Sequence, residues 1–239
     1  MLTARLLVLS AVFFSFIALG CGKNQPEAER PPAPEIDNED EFDEGMGMMQ
    51  EFGGMNEEKV TRAFKRVYPQ LSECLKEAWA KQPQLFGDVA FLVTVNLDGV
   101  AEHAQAEKST LGNFEAERCM LAILKDSIWP KPVGGLLGHA RWSIGFDPAP
   151  GQRPAEPWAA EDIAGTLSGE RNSQSLSECG SGGPFEITAY VETSGSVSSV
   201  GVAHVDNDGE ETARCLADSV AAMKFPSPGS WRSKVTFSR

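Results

Sequence analysis

The residues of this 239-residue chain that could carry chemistry are five cysteines, three histidines and a cluster of methionines. Four of the cysteines follow a repeat: the tetrapeptide LSEC ends at Cys74 and again at Cys179, and an Arg-Cys pair follows each copy at Cys119 and Cys215. No Cys-x-x-Cys motif is present, and the spacings of 45 and 36 residues favour structural disulfide bonds over redox activity. Four cysteines allow three connectivities, and the duplication favours Cys74–Cys119 with Cys179–Cys215.

The histidines, His103, His139 and His204, show none of the H-x-x-H or H-E-x-x-H spacings that place two ligands on one face of a helix. We interpret them as surface or rim residues rather than metal ligands or catalytic bases. No G-x-S-x-G motif and no phosphate-binding loop accompanies them. The sequence therefore predicts no catalytic residues, no metal site and no cofactor.

Two further segments contain potential metal ligands. Thioethers suit Cu(I), and a methionine cluster follows an acidic stretch of the chain, at Met46, Met48, Met49 and Met55. Because no histidine or cysteine joins this cluster, a flexible linker is the favoured interpretation. The segment DNDGE, from Asp206 to Glu210, resembles a calcium loop, but its glycine comes too early for an EF-hand, so an acidic cap at the start of a helix is favoured.

The N-terminus predicts an exported lipoprotein. Arg5 precedes an uncharged apolar run that is too short to span a bilayer comfortably and is typical of a signal peptide over residues 1–20. The run ends in Ala-Leu-Gly-Cys, which resembles a bacterial lipobox and implies cleavage before Cys21 and attachment of lipid, including palmitate, to that cysteine. Ordinary cleavage after Gly20 is the alternative. Gly22 follows, rather than the aspartate associated with inner-membrane retention, so we expect an outer-membrane, periplasm-facing location, where disulfide bonds persist.

The negative charge is concentrated behind this anchor. The chain has a net charge of −13, and residues 21–56 are Pro-rich, then acidic (EIDNEDEFDE), then rich in glycine and methionine. A segment with much like charge and little apolar surface to bury is predicted to be a disordered spacer. The acidic balance also argues against nucleic acid as a partner, because that partner needs a basic surface.

The two LSEC copies begin a longer repeat. The segment Gly87–Gly99 aligns without a gap with Gly183–Gly195, and Glu117–Pro132 aligns with Ala213–Pro228. The matching residues lie at turns, cysteines and element ends. This pattern indicates a duplicated fold unit in two copies.

Periodicity predicts the elements of the first unit. An apolar stripe that includes Cys74 predicts a helix over Glu57–Lys81, and alternation predicts two strands around a turn at Asp98-Gly99. A second helix over about Phe114–Ser127 and a last strand over Ala140–Phe146 complete the order α-β-β-α-β. The expected fold is α+β, with a three-stranded antiparallel sheet covered on one face by helices. The residues expected to face inward are Val89, Phe91, Val93, Val95, Leu97, Met120, Ile123 or Leu124, Ile128, Ala140, Trp142, Ile144 and Phe146.

The second unit repeats this pattern with a weaker start. Gly165, Gly169 and a serine-rich run replace good helix formers, so its first helix should be short or irregular. We expect domains at residues 57–148 and 160–239, joined by a linker at 149–159. The inward strand residues of the second unit should be Phe185, Ile187, Ala189, Val191 and Thr193.

The first unit also carries a recognisable pattern of cysteine, glycine, Ser-Thr-Leu and aromatic-Pro-x-Pro residues, at Cys74, Gly87, Val89, Gly99, Val100, Ser109, Thr110, Leu111, Cys119, Trp129, Pro130 and Pro132. This pattern resembles the AgmX/PglI C-terminal domain family, which is TonB C-terminal-like. The resemblance covers about residues 58–147, and the second unit, at roughly 160–238, matches less because it lacks the Ser-Thr-Leu triplet. It implies two tandem TonB-C-like domains in a cell-envelope setting, and it implies little about activity.

Two classes of function remain. The first is a non-catalytic envelope lipoprotein whose paired modules bind a protein or peptide partner, for instance by adding a strand to a sheet edge. The alternative is a periplasmic small-ligand binder or enzyme with a site between the repeats. A polar cleft between the repeats would favour the alternative.

Overall fold

The structure, a computed structural model, describes residues 54–180, 183–204 and 209–239. The signal peptide, Cys21, residues 21–53 of the expected spacer and most of the DNDGE segment lie outside the described residues. No helix within the described ranges has the length and apolar character needed to cross a membrane. Residues 54–56, which we expected in a disordered spacer, belong to the folded part, because Asn56 caps the first helix and Met55 lies against Gly138.

The first half has the predicted order of elements. These are α1 (Glu57–Trp79), β1 (Gly87–Val95), β2 (Ala101–Ser109), α2 (Phe114–Lys125) and β3 (Gly138–Phe146). The side chain of Asn56 accepts a hydrogen bond from the Lys59 backbone N–H at 2.9 Å, and Asn113 caps α2 in the same way, through Ala116. Capping and an apolar stripe therefore define both helices.

The three strands form an antiparallel sheet in the order β2-β1-β3. Alternate residues of β1 are buried against the helices, as predicted, at Val89, Phe91, Val93 and Val95. Two expected core residues are exposed instead. Leu97 lies in the β1–β2 turn, and Ile128 is 79% exposed because α2 ends at Lys125 and the residues beyond it no longer follow the helical stripe.

The second half departs from the expected three-stranded sheet. Its elements are β4 (Glu156–Trp158), α3 (Ala160–Leu167), α4 (Glu170–Glu178), β5 (Phe185–Val191), β6 (Val197–His204), α5 (Glu210–Ala221) and β7 (Ser233–Ser238). The sheet order is β4-β7-β5-β6, and β4 pairs with β7 in parallel. The linker expected at 149–159 therefore supplies a fourth strand, in which Pro157 is tolerated because the strand lies at an edge.

The first helix of the second half is interrupted, as the sequence predicts. α3 ends before Ser168 and α4 begins after Gly169, and neither helix has a side-chain cap hydrogen bond. The inward face of β5 is buried at Phe185, Ile187 and Ala189. Thr193, which was expected inward, is exposed because β5 ends two residues earlier and Thr193 lies in the turn.

Both cysteine pairs favoured by the repeat lie at disulfide-bond distance. Cys74 in α1 pairs with Cys119 in α2, with a Cα–Cα distance of 5.8 Å, and Cys179 pairs with Cys215 in α5 at 5.4 Å. Each pair joins the two helical parts that cover one sheet. In the chain-entropy model, closing a loop of either length contributes about 4 kcal/mol to stability.

The second sheet is buried on both faces, which the sequence did not predict. One face lies under its helices, and the other packs against the first half through Thr188 and Tyr190, both 0% exposed. Two glycines permit this close approach. A Cβ on Gly112, whose φ is +72°, would lie 2.8 Å from the Tyr190 ring, and a Cβ on Gly201 would lie 2.4 Å from the Glu117 carboxylate.

Candidate functional site

A polar junction joins the two halves, and the turn after β2 is its centre. Thr188 in β5 donates its hydroxyl to the Ser109 carbonyl at 3.2 Å. Ser199 in β6 donates to the Gly112 carbonyl at 2.6 Å and accepts from the Asn113 side-chain amide at 3.0 Å. Side chains of the second half thus satisfy backbone groups of the first, and these bonds fix the relative position of the halves.

Tyr190 forms the buried core of this junction. Its hydroxyl donates to the Phe86 carbonyl at 2.8 Å and accepts from the Phe86 N–H at 3.0 Å. The two rings also meet edge to face, with centroids 6.3 Å apart. Burial is the main reason that the pKa of Tyr190 is raised above its ordinary value.

Lys234 reaches the same backbone from β7. Its ammonium donates to the carbonyls of Phe86 at 3.0 Å and Thr110 at 3.2 Å, and it lies 3.5 Å from the centroid of the Phe86 ring. Loss of water lowers the pKa of Lys234 to about 8, although the nearby Asp88 carboxylate acts in the opposite direction. Every polar contact of this ammonium serves the junction.

Glu117 is the charged group of the junction and is only 2% exposed. Its carboxylate accepts from the Ser109 hydroxyl at 2.6 Å and, across the junction, from the backbone N–H of Val202 in β6 at 3.2 Å. Burial raises the pKa of Glu117 to about 7, and the hydrogen bonds from Ser109, Val202 and the backbone of Gly112 and Asn113 lower it. Ser109 is also 2% exposed, so the hydrogen bond between its hydroxyl and the Glu117 carboxylate lies in the interior of the protein.

An open cleft of about 210 Å³ lies beside this carboxylate, between the halves. One wall is a face of α2 and another is the middle of β2, and the start of α5 and the end of β6 complete it. The lining includes His103, Ala104, Ala106, Glu117, Arg118, Ala122, Lys125, Val202, His204 and Glu210. The fold therefore brings together two histidines that sequence spacing kept apart, whereas His139 lies on the exposed face of β3.

Of the two basic residues that line this cleft, Arg118 forms an ion pair and Lys125 does not, among the described residues. Arg118 contacts Glu210 at 2.9 Å, and its guanidinium lies 5.9 Å from the centre of the Phe114 ring. Lys125 is exposed and forms no ion pair within the part of the chain that the structure describes. No group of three or more histidine, cysteine, aspartate or glutamate side chains suited to a metal ion occurs among the described residues.

A second cleft lies between the halves, and most of the residues that line it are polar or charged. It encloses about 300 Å³ and is lined by residues such as Gln82, Arg153, Glu192, Trp231 and Arg232. The Arg153 guanidinium lies 4.6 Å from the Trp231 ring, and Gln82 donates its amide to the Ser198 carbonyl. The bond from Gln82 to Ser198 joins the two halves, whereas the contact between Arg153 and Trp231 lies within the second half.

The far end of the first half is apolar and exposed. The β1–β2 turn, the residues after α2 and the loop before β3 meet there, since Val100 bridges to Ile128 and Val95 pairs with Gly138. We call this surface the apolar end. Its exposed residues are Leu97, Val100, Ile128, Val133, Leu136 and Leu137. Contiguous exposed apolar surface is typical of protein interaction sites.

Sequence reasoning identified the cysteines but missed Glu117, Tyr190 and Lys234. One signal was present: Glu117 falls beside Met120 and Leu124 on the buried stripe of α2, where a carboxylate has to find partners. Comparison with protein-family models, with curated proteins and with solved structures found no match.

Proposed function

We propose that this chain is a non-catalytic lipoprotein of the cell envelope, held to the outer membrane by lipid at Cys21. Its two halves act as paired TonB-C-like modules, and the first half binds an extended segment of a partner protein. The observation that carries the proposal is the position of β3, a nine-residue strand at the end of its sheet, beside the apolar end. An open edge of this kind is suited to strand addition.

The hydrogen-bond pattern identifies the groups that a partner strand would use. Asp88 in β1 bonds through its backbone N–H and C=O to Thr110, on the β2 side. Its neighbour Val89 therefore directs its own groups to its partner Ile144 in β3, because backbone groups alternate sides along a strand. Ser143, next to Ile144, then directs its N–H and C=O away from the sheet.

The apolar end would supply the specificity for this partner. Main-chain hydrogen bonds along β3 would not select between partner sequences. Side-chain contacts could, and Val133, Leu136 and Leu137, which precede the strand, are about half exposed. A partner segment that pairs with β3 would continue onto these side chains and bury them. We therefore expect a partner whose segment has apolar residues at one end of an extended stretch.

Two substitutions at one position test strand addition. Ser143→Pro removes an outward N–H without removing a bond to β1, whereas Ser143→Ala keeps it. With a photoreactive residue at Leu136, cross-linking in intact envelopes should give the same adduct in the unsubstituted protein and Ser143→Ala. The adduct should be lost in Ser143→Pro at unchanged melting temperature. An adduct that survives the proline would disprove binding at this edge.

The lipid anchor has a separate test. Metabolic labelling with palmitate should mark the protein and should not mark Cys21→Ser. Equal labelling of both proteins would remove the lipoprotein proposal and leave the peptide-binding proposal intact.

A second candidate function is supported by the cleft of about 210 Å³ between the halves. A cleft at this place is the feature that favours a small-ligand binder over a module that binds proteins alone. Polar and small apolar side chains line this cleft together, as in many ligand sites. Its position at the junction of two packed units is also common for binding sites.

A further inference from the structure

We propose that the cleft between the halves binds the free carboxyl terminus of an extended peptide. The inference rests on the second candidate function and gives that ligand a chemical class. It is independent of strand addition at β3, which lies on the opposite edge of the first sheet.

The walls of the cleft match a peptide backbone. β2 is the last strand of its sheet, so only one of its sides pairs with β1. Backbone groups alternate sides along a strand: the N–H and C=O of Gln105 and His103 point to β1, and those of Ala104 between them point away from β1, on the side of the cleft. The opposite wall is the α2 face, where Ala122 leaves room. A peptide between an edge strand and a helix gains main-chain bonds from the strand and side-chain contact from the helix.

The charges of the cleft match a carboxylate. The chain as a whole is acidic, with a net charge of −13, so a positive site on it is not a consequence of its composition. Two acids line the cleft among the residues that the structure describes. Glu210 is paired with Arg118, and Glu117 is enclosed by its hydrogen bonds and by burial that favours its neutral form. Lys125 lines the same cleft, is exposed and forms no ion pair with a described residue, so its ammonium is available to a carboxylate ligand.

The volume matches the end of a chain rather than its middle. About 210 Å³ is below the range of roughly 300–1,000 Å³ that holds drug-sized ligands. A terminal carboxylate and one or two small residues need less room than an internal segment, which would have to leave the cleft at both ends. We therefore expect small apolar residues at the end of the ligand.

The probe is a fluorescein-labelled peptide, Ala-Val-Ala-Val-Ala, with either a free carboxylate or a carboxamide at its end, followed by fluorescence anisotropy on the folded protein. The free acid should bind at least tenfold more tightly than the amide. Lys125→Glu should weaken the acid by about tenfold, and Ala122→Phe should abolish binding by filling the cleft. Two matched controls outside the cleft, Lys65→Glu in α1 and Ala221→Phe in α5, should leave binding unchanged.

The outcomes separate the inference from the function on which it rests. If the acid and the amide bind equally and both lose binding in Ala122→Phe, the cleft is a peptide site, and the proposal that it recognises a free carboxylate is overturned. If butyrate competes with the same affinity as the peptide, the proposal that the ligand is a peptide is overturned, and the cleft is a site for small carboxylates. No binding of the acid, the amide or butyrate at millimolar concentration would overturn both the inference and the second candidate function.

Discussion

Replacing Glu117 with glutamine should change how the stability of this protein depends on pH. The Glu117 carboxyl is buried between the halves, and burial raises its pKa from the ordinary value of 4.5 to about 7. A group whose pKa is higher in the folded protein than in the unfolded chain favours folding while it is protonated in both states. That contribution is complete below pH 4.5 and is lost as the pH rises towards and through 7.

The size of the effect follows from the two pKa values. Between pH 4.5 and 7 the unfolded chain loses its proton and the folded protein keeps it. Each pH unit in this interval lowers the free energy of unfolding by about 1.4 kcal/mol, so the whole loss is about 3 kcal/mol. Glutamine resembles the neutral acid in shape and hydrogen bonding and does not titrate, so Glu117→Gln should lack this loss.

Urea unfolding at pH 4, 5, 6, 7 and 8 measures the difference, because the midpoint and slope give the free energy at each pH. The stability of Glu117→Gln relative to the unsubstituted protein should rise by about 3 kcal/mol from pH 4 to pH 8. Glu115→Gln, on the same helix with its side chain 75% exposed, is the matched control and should give parallel curves. Parallel curves for Glu117→Gln, or a reversed difference, would refute the reasoning by showing that the hydrogen bonds outweigh burial.

Three further substitutions test the disulfide bonds and the junction. Replacing Cys179 and Cys215 together with serine should cost about 2–5 kcal/mol and harm the second half more than the equivalent change harms the first, since its first helix is interrupted; equal losses in urea unfolding would contradict this. Tyr190→Phe should cost about 1–3 kcal/mol, because it removes the acceptor of the part-buried Phe86 N–H and one of the two donors to the Phe86 carbonyl, to which Lys234 still donates; a change below 0.5 kcal/mol by calorimetry would argue against that bond. Gly201→Ala should cost about 1–3 kcal/mol by pushing a methyl group against the buried carboxylate, and an unchanged melting temperature would exclude the close approach.

The elements of the first half could be predicted because their signals are local. The alternation from Val89 to Val95 fixes which face of β1 is buried, and the stripe through Val60, Phe64 and Cys74 fixes the face of α1. The exposed Leu97 and Ile128 lie just beyond the ends of their elements, where periodicity no longer determines the direction of a side chain. The same pattern that places the core therefore misplaces its last residues.

The junction could not be predicted, because its partners are distant in sequence and individually ordinary. The side of β5 that faces the first half carries Thr188 and Tyr190, and alternation with Ile187 and Ala189 assigns that side to solvent. This side of β5 is buried only because the first half packs against it. The strand β4 could not be predicted for a related reason. Its pairing with β7 depends on where the chain enters the second half, which the local sequence does not determine.

The two halves consequently depend on their contact to different degrees. The first half has a long helix α1 and buries one face of its sheet against its own helices, so most of its core lies within itself. The second half has shorter helices over its sheet, and the first half covers the opposite face through Tyr190. Because apolar burial scales with the area removed from water, that contact adds stabilising burial on the face of the sheet that α3, α4 and α5 do not cover. The first half therefore supplies part of the cover of the second sheet, and the candidate cleft lies at the boundary between the two halves.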